Sequence, residues 1–358
     1  MHSAIIKKHF TNNLFFTRVK FIIFIGAAIL KKKILIYNRV PKDLAKKIAK
    51  NFKVTMIDDQ AIDAESNFLQ ALSETHGVIG GGREFNSDSL KLAKNLEVIS
   101  NISVGYDNCD VKYLSERKIM LTTPPNVLNE TTADLALALL LSTARRVPEL
   151  DKWTKSNNWK KPIDSSVFGD SLFGYDIHGK TIGIIGLGKI GKAIARRARF
   201  GFNMNIIYSG RTRHKDQEKI LNAKHVDLKT LYKEADFICP VVPLSDSTKN
   251  MINESSFNIM KKNAILINVS RGAIVNENDL INALKNNKIA GAGLDVYSKE
   301  PLEISELFEF PNVVTLPHIG SATHDTRRAM AVKAIDNLCS ALNGNVPIDL
   351  VNRDVFKI

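Results

Sequence analysis

Short runs of consecutive apolar residues alternate with stretches of helical period along most of this chain. Between residues 34 and 121, the runs 34–37, 54–57, 77–79, 96–100 and 119–121 read as strands, with 44–52 and 87–95 as helices. That alternation predicts βαβ units and a parallel sheet. Pro124 and Pro125 close the series. Residues 130–146, which include TTADLALALLLSTARR, hold no Gly or Pro and are rich in Leu and Ala, so a long, largely buried helix joining two lobes is expected. A second alternating series places strands at 182–185, 205–208, 237–241, 264–268, 291–295 and 313–315. Residues 323–342 turn helical again.

Length and composition agree with a two-domain α/β protein. A chain of 358 residues with 44% hydrophobic and 24% charged side chains can bury a full core. The net charge of +13 suggests nucleic acid at first sight. The first 33 residues, however, hold seven Lys/Arg and no acid, leaving 43 basic against 37 acidic residues, a net of +6. An excess that small and that dispersed suits attraction of anionic small molecules, not a clustered phosphate-tracking face, so no nucleic-acid partner is expected. Cys109, Cys239 and Cys339 are far apart and lack CxxC or Cys/His spacing, which predicts no disulfide framework, no metal site and a reducing, cytoplasmic setting.

Residues 1–33 read as a leader outside the fold. Their apolar run 21–30 is too short for a bilayer, which takes about 20 residues, so no membrane span is expected. A signal peptide is the other reading, given the small residues Gly26, Ala27 and Ala28, but three lysines and a first strand follow at once.

The phrase TIGIIGLGKIGKAIARRA carries the most chemistry: a buried strand, then Gly186, Gly188 and Gly191 in GxGxxG spacing, then a helix. The first glycine permits a tight turn, the second lets backbone approach a pyrophosphate, and the third lets helix pack on strand. Free N–H groups at the helix start, through Lys189 and Ile190, then meet negative charge. With six strands in the series, a doubly wound dinucleotide-binding domain is expected. An NAD-preferring site places an acid at the end of the next strand. Here NIIYSGRTRHK puts Ser209 and Gly210 at that point, followed by Arg211, Thr212 and Arg213. Guanidinium can grip a 2′-phosphate with paired donors, so NADP is the expected cofactor, with NAD possible.

Three later phrases place polar groups just past strands: NVSRGAIV with Arg271, GLDVYSKEP with Asp295 and Glu300, and LPHIGSATH with His318. With SVGYDN at 103–108, LSTARR at 141–146 and FGFNM at 200–204, these occur in the order found in the D-isomer-specific 2-hydroxyacid dehydrogenases. From residue 34 onward the chain resembles that family, and within it the bacterial glyoxylate/hydroxypyruvate and 2-ketogluconate reductases.

The resemblance implies a Rossmann-type dinucleotide-binding domain, 127–321, inserted into a flavodoxin-like substrate domain, 34–126 and 322–358. It implies Arg271 as substrate-binding arginine, His318 as proton donor and Glu300 as its partner. Guanidinium can bind a carboxylate and polarise a ketone, and a carboxylate beside His318 would favour the charged imidazole and fix its orientation. Backbone N–H groups at Val104 and Gly105 are implied as a second contact to the substrate carboxylate. Thr132, Pro243, Val269, Asp295 and Gly320 are implied around the nicotinamide, and Trp159 at a partner subunit's cleft or in packing. A homodimer follows from the same source. Since Val104 and Gly105 fall in one expected lobe and Arg271, Glu300 and His318 in the other, closure about Asn126 and Ser321 is expected to complete the site. A dinucleotide-sensing corepressor, a phosphoglycerate dehydrogenase and a formate dehydrogenase are the competing readings. The first would carry an added arm or tail, the second often a regulatory domain, and the last two would favour NAD.

Overall fold

The computed structural model describes residues 31–58, 61–160 and 172–356. Of the expected leader, 1–33, residues 1–30 lie outside them, but 31–33 belong to the fold: Lys33 opens the first strand, pairing with Lys53, and Lys32 Nζ lies 2.6 Å from Glu97 Oε2. Among the described residues no helix is long and apolar enough to cross a membrane. The described residues divide into two compact units, 31–58 and 61–101 with 111–122 and 334–356, and 102–110 with 123–160 and 172–333.

The first unit is built on five parallel strands, β1 (Lys33–Ile36), β2 (Lys53–Met56), β3 (Gly77–Gly80), β4 (Val98–Asn101) and β5 (Met120–Thr122), in the order β2-β1-β3-β4-β5. β3 and β4 are buried along their whole length, as expected of central parallel strands. Gly77 lets the helix His324–Leu342 approach β3, for a Cβ there would sit 2.8 Å from Leu338 Cδ1. The open edge of β5 is closed by the C-terminal segment, where Val351 N donates to Leu121 O at 2.8 Å and Asn352 Oδ1 accepts from Leu121 N at 2.8 Å.

Residues 87–95, read as a helix from their apolar spacing, form a succession of turns instead. The side chain of Asn86 accepts from the N–H groups of Asp88 and Ser89, both at 3.0 Å, and Arg117 takes the carbonyls of Leu90 and Ala93. Backbone groups that a helix would pair internally thus find side-chain partners. The helices Ala64–Ser73 and Val147–Lys155 went unread in the sequence; the first buries only Ala64, Phe68 and Leu72 and the second no residue at all.

In the second unit seven parallel strands run β12-β11-β10-β9-β6-β7-β8: β6 (Thr181–Ile185), β7 (Asn205–Ser209), β8 (Ala223–His225), β9 (Phe237–Pro240), β10 (Ile265–Asn268), β11 (Gly291–Leu294) and β12 (Val313–Thr315). Six of these match the apolar runs. The seventh, β8, reads Ala-Lys-His with only Ala223 buried, so it has no hydrophobic signal and is held by its pairing with β7. Ile182 and Ile184 of β6 join the apolar cluster that includes the helices Asn129–Ala144 and Lys189–Phe202, while Ile185 joins the one that includes Leu228–Glu234 and Glu277–Lys285. Period-two alternation sends these neighbours to opposite faces, giving a sheet covered on both sides. Strand order reverses between β6 and β9, and in such sheets ligands bind outside the carboxyl ends of the strands at that point.

Segment Ile102–Asp110, expected in the first lobe, groups instead with this second unit. Asp107 in that segment pairs with Arg271 of this unit at 2.9 Å.

Candidate active site

The cofactor loop begins where β6 ends. Gly186 has φ +97°, a left-handed conformation that favours glycine, and a Cβ on it would lie 2.7 Å from Val241 O beyond β9. A Cβ on Gly191 would lie 2.3 Å from Gly186 O, so helix and strand touch through it. Around Gly188, at the N-terminus of the helix Lys189–Phe202, a Cβ would meet nothing within 4 Å. The loop therefore combines open space, close backbone and a helix N-terminus of exposed N–H groups, a cradle that fits a pyrophosphate. Lys189 Nζ, beside it, donates to Asn126 Oδ1, and Asn126 has φ +74°. Ile190 lies in the first helical turn, half-buried.

β7 ends at the buried Ser209, whose carbonyl accepts from Gly186 N at 2.8 Å. Gly210, Arg211, Thr212 and Arg213 follow as an exposed turn. Arg213 is engaged by Glu218, Nε at 2.9 Å and Nη2 at 3.0 Å.

The turn after β10 carries Arg271. Buried Asn268 shapes it by accepting from Ser270 N and Oγ and donating to Arg271 O, and Val269 beside it is buried. Arg271 reaches the 102–110 loop, where its Nε lies 3.1 Å from Asp107 Oδ1 and its Nη2 2.9 Å from the same oxygen. Nη1 donates to Ser270 O at 2.8 Å. A guanidinium has five N–H donors, so among the described residues three are used and one remains on each terminal nitrogen. Those two can form a paired contact with an acid. Gly105 makes room for the arrangement, since a Cβ there would fall 1.5 Å from Arg271 Nη2. Val104 is half-buried in the same loop. Burial works against the Asp107 carboxylate, but hydrogen bonds and charge from Arg271 outweigh it and hold the carboxyl below its ordinary range.

His318 stands in the segment after β12 with φ +53°, a conformation uncommon outside glycine. Fully buried Asp295 holds it there by accepting from the next two N–H groups, Ile319 at 2.7 Å and Gly320 at 2.8 Å. Thr132 of the helix Asn129–Ala144 adds a bond to Gly320 O at 3.1 Å. Burial pushes the Asp295 carboxyl up in spite of both N–H groups. His318 Nδ1 lies 2.5 Å from Glu300 Oε2, and Glu300 Oε1 accepts from Tyr297 N at 3.0 Å. Burial disfavours the Glu300 carboxylate too, yet the His318 and Tyr297 hydrogen bonds prevail and its carboxyl lies below the ordinary range. A carboxylate only accepts, so Nδ1 carries the proton and Nε2 is the ring nitrogen left for a ligand. The two pairs sense one another: His318 lowers Asp107, and Arg271 lowers Glu300.

Arg271, Glu300, His318, Val104, Gly105, Asp295, Gly320 and Thr132 thus belong to one compact unit, and the pairs described need no closure to form. Pro243 is exposed just past β9, its carbonyl accepting from Thr248 Oγ1 at 2.7 Å. Trp159 is exposed. Sequence reasoning missed Asp107, Asn268 and Tyr297. Asp107 stands in the phrase SVGYDN, yet its pairing with Arg271, 164 residues on, has no local signal. Tyr297 donates to Leu316 O at 2.9 Å, tying the ends of β11 and β12 together.

A doubly wound domain with this glycine cradle and an Arg, Glu and His past successive strands defines the class, and the chain belongs to the D-isomer specific 2-hydroxyacid dehydrogenase family. Residues 137–320 match the NAD binding domain of that family. The chain is 47% identical over 328 residues to a glyoxylate/hydroxypyruvate reductase B from Yersinia pestis bv. Antiqua, covering 91% of this chain and 99% of the relative. Among solved structures it is similar to a Thermus thermophilus protein, with TM-score 0.81, 35% identity and coverage of 89% of this chain and 99% of that one. It is also similar to an NADPH-dependent glyoxylate/hydroxypyruvate reductase from Sinorhizobium meliloti, in complex with NADP and malonate, with TM-score 0.78, 31% identity and coverage of 91% and 98%.

Proposed function

We propose that this protein uses NADPH in preference to NADH to reduce a small 2-oxo acid, glyoxylate, hydroxypyruvate or 2-ketogluconate, to the D-2-hydroxy acid. The observation that carries the reading is the His318–Glu300 pair, electrostatically coupled to an Arg271 that keeps two donors in hand. The bound nicotinamide supplies a hydride to the keto carbon. Arg271 takes the substrate carboxylate through its remaining Nη1 and Nη2 donors, with the Val104 and Gly105 N–H groups as a second contact. As charge grows on the ketone oxygen, His318 Nε2 gives that oxygen its proton, and Glu300 holds the ring and balances its charge. Gly186, Gly188, Lys189, Ile190 and Gly191 would hold the pyrophosphate. Ser209, Gly210, Arg211, Thr212 and Arg213 would line the adenosine end, and Thr132, Pro243, Val269, Asp295 and Gly320 the nicotinamide end. Support for NADPH is the absence of an acid at residues 209 and 210 and the exposed Arg211 beside the cradle. A homodimer is the expected assembly, as membership of the family suggests.

The test is the loss of absorbance of NADPH and of NADH with each of the three acids. Oxidation of NADPH by at least one supports the reading, and no oxidation by any defeats it. Faster consumption of NADH defeats the cofactor preference alone.

A further inference from the structure

Tyr297 reaches the supports of Arg271, Glu300 and His318 at once. Its N–H donates to Glu300 Oε1 at 3.0 Å, while the other carboxylate oxygen meets His318 Nδ1. Its hydroxyl donates to Leu316 O at 2.9 Å, two residues before His318, and shares its proton with Leu294 O at 3.2 Å. Leu316 is gripped through its N–H too, which donates to Leu294 O at 2.8 Å. The backbone of Tyr297 lies against Gly272, the residue after Arg271, for a Cβ on Gly272 would fall 1.8 Å from Tyr297 C and 1.9 Å from Tyr297 O. Tyr297 is buried, and burial pushes its phenol up to about 12, so the hydroxyl remains a donor at any working pH. His318 is thereby held on both sides from one segment: Tyr297 donates to the carbonyl of Leu316 before it, and Asp295 accepts from the N–H groups of Ile319 and Gly320 after it. A left-handed residue other than glycine persists only where its surroundings over-determine it, and these three bonds do so here.

We propose that Tyr297 is a positioning residue for proton delivery: its hydroxyl, acting through Leu316 O, fixes the segment that presents His318 to the ketone oxygen, while its backbone keeps Glu300 and the Arg271 turn in register with that segment. A tyrosine retained only to fill the core between β11 and β12 would need its ring and not the aim of its hydroxyl. The division of contacts separates the two arms of the site. The hydroxyl serves the His318 arm, and the backbone contact with Gly272, which any side chain at 297 preserves, serves the Arg271 arm. The proposal rests on the reading of His318 as proton donor given above.

Steady-state kinetics of Tyr297→Phe, with NADPH and whichever of the three acids wild type reduces fastest, tests it. The substitution removes the hydroxyl and leaves the ring and both backbone contacts. A fall in kcat of about 10-fold or more is expected, as for slight misplacement of a reacting group. KM, and the inhibition constant of oxamate as an unreactive mimic of the acid, should stay within about twofold of wild type, because the Arg271 arm keeps its support. The solvent deuterium isotope effect on kcat should rise above that of wild type as proton transfer becomes more limiting. Incorporation of 4-aminophenylalanine at position 297, whose amine can donate to both carbonyls, should restore most of the lost kcat. The proposal is overturned if Tyr297→Phe keeps kcat within about twofold of wild type or loses its efficiency through KM alone. It is overturned equally if the solvent isotope effect does not change or if the variant no longer folds, for the hydroxyl is then a stability element only. Wild type that oxidises NADPH with none of the acids, or a His318→Ala variant of near-normal turnover, removes the proton-donor reading and this proposal with it; an active wild type matched by Tyr297→Phe removes this proposal alone.

Discussion

His318 Nδ1 meets Glu300 Oε2 at 2.5 Å, and the backbone that carries this histidine is left-handed at φ +53°. The carboxylate orients the ring, and Asp295 orients the chain on either side of the next peptide. His318→Ala is expected to lower kcat by about 10²–10⁴-fold, the range for loss of a general acid. Fluorescence titration should find NADPH binding within about twofold of wild type, since His318 is assigned to substrate and not to cofactor. Near-normal turnover would refute the assignment.

Gly105 tolerates no side chain while Arg271 keeps its present place, given a Cβ 1.5 Å from Nη2. Gly105→Ala should displace the guanidinium and lower kcat/KM for the 2-oxo acid by about 100-fold, as ångström-scale misplacement can. Steady-state kinetics beside a thermal melt separates this from unfolding. An alanine variant of unchanged kcat/KM would show that Arg271 does not need its present position.

Asp107 holds Arg271 by its Nε and Nη2 donors, so Asp107→Asn should raise KM for the acid by about 10–100-fold with a smaller change in kcat, consistent with a charged hydrogen bond of about 1.5–3 kcal/mol. Its acid dependence has a definite sign. The folded-state carboxyl lies below its ordinary value of 3.8, so its stabilisation is fully present above that value and is lost as pH falls through the lower folded value. Melting temperatures should therefore differ between wild type and Asp107→Asn near neutrality and converge below about pH 4. A difference that grows on acidification would contradict the ion pair.

Asp295 is wholly buried and both its oxygens accept backbone N–H groups. In Asp295→Asn one of those oxygens becomes an NH₂ donor facing a donor. A loss of about 1–3 kcal/mol in unfolding free energy is expected, the penalty for an unsatisfied buried group. A fall in kcat should accompany it, because the displaced segment carries His318. Chemical denaturation and turnover measured on the same preparation check both, and full activity in a destabilised protein would separate Asp295 from His318 placement.

Sequence alone determined the parallel α/β character of both units, the glycine cradle and the identity of Arg271, Glu300 and His318 as candidates. These signals are local: apolar runs with a fixed period, glycines in GxGxxG spacing between a strand and a helix, and polar residues in the segments that follow strands. It did not find β8, whose three residues have no hydrophobic pattern, nor the turns at 87–95, whose backbone bonds are taken by Asn86 and by Arg117 from outside the segment. Only the tertiary structure decided that Asp107 belongs to Arg271, that Asp295 braces the histidine segment, and that Arg213 is tied to Glu218. Each of those facts is a pairing of charges or of buried donors and acceptors. Pairing depends on where side chains arrive in space, and no spacing along the chain encodes it.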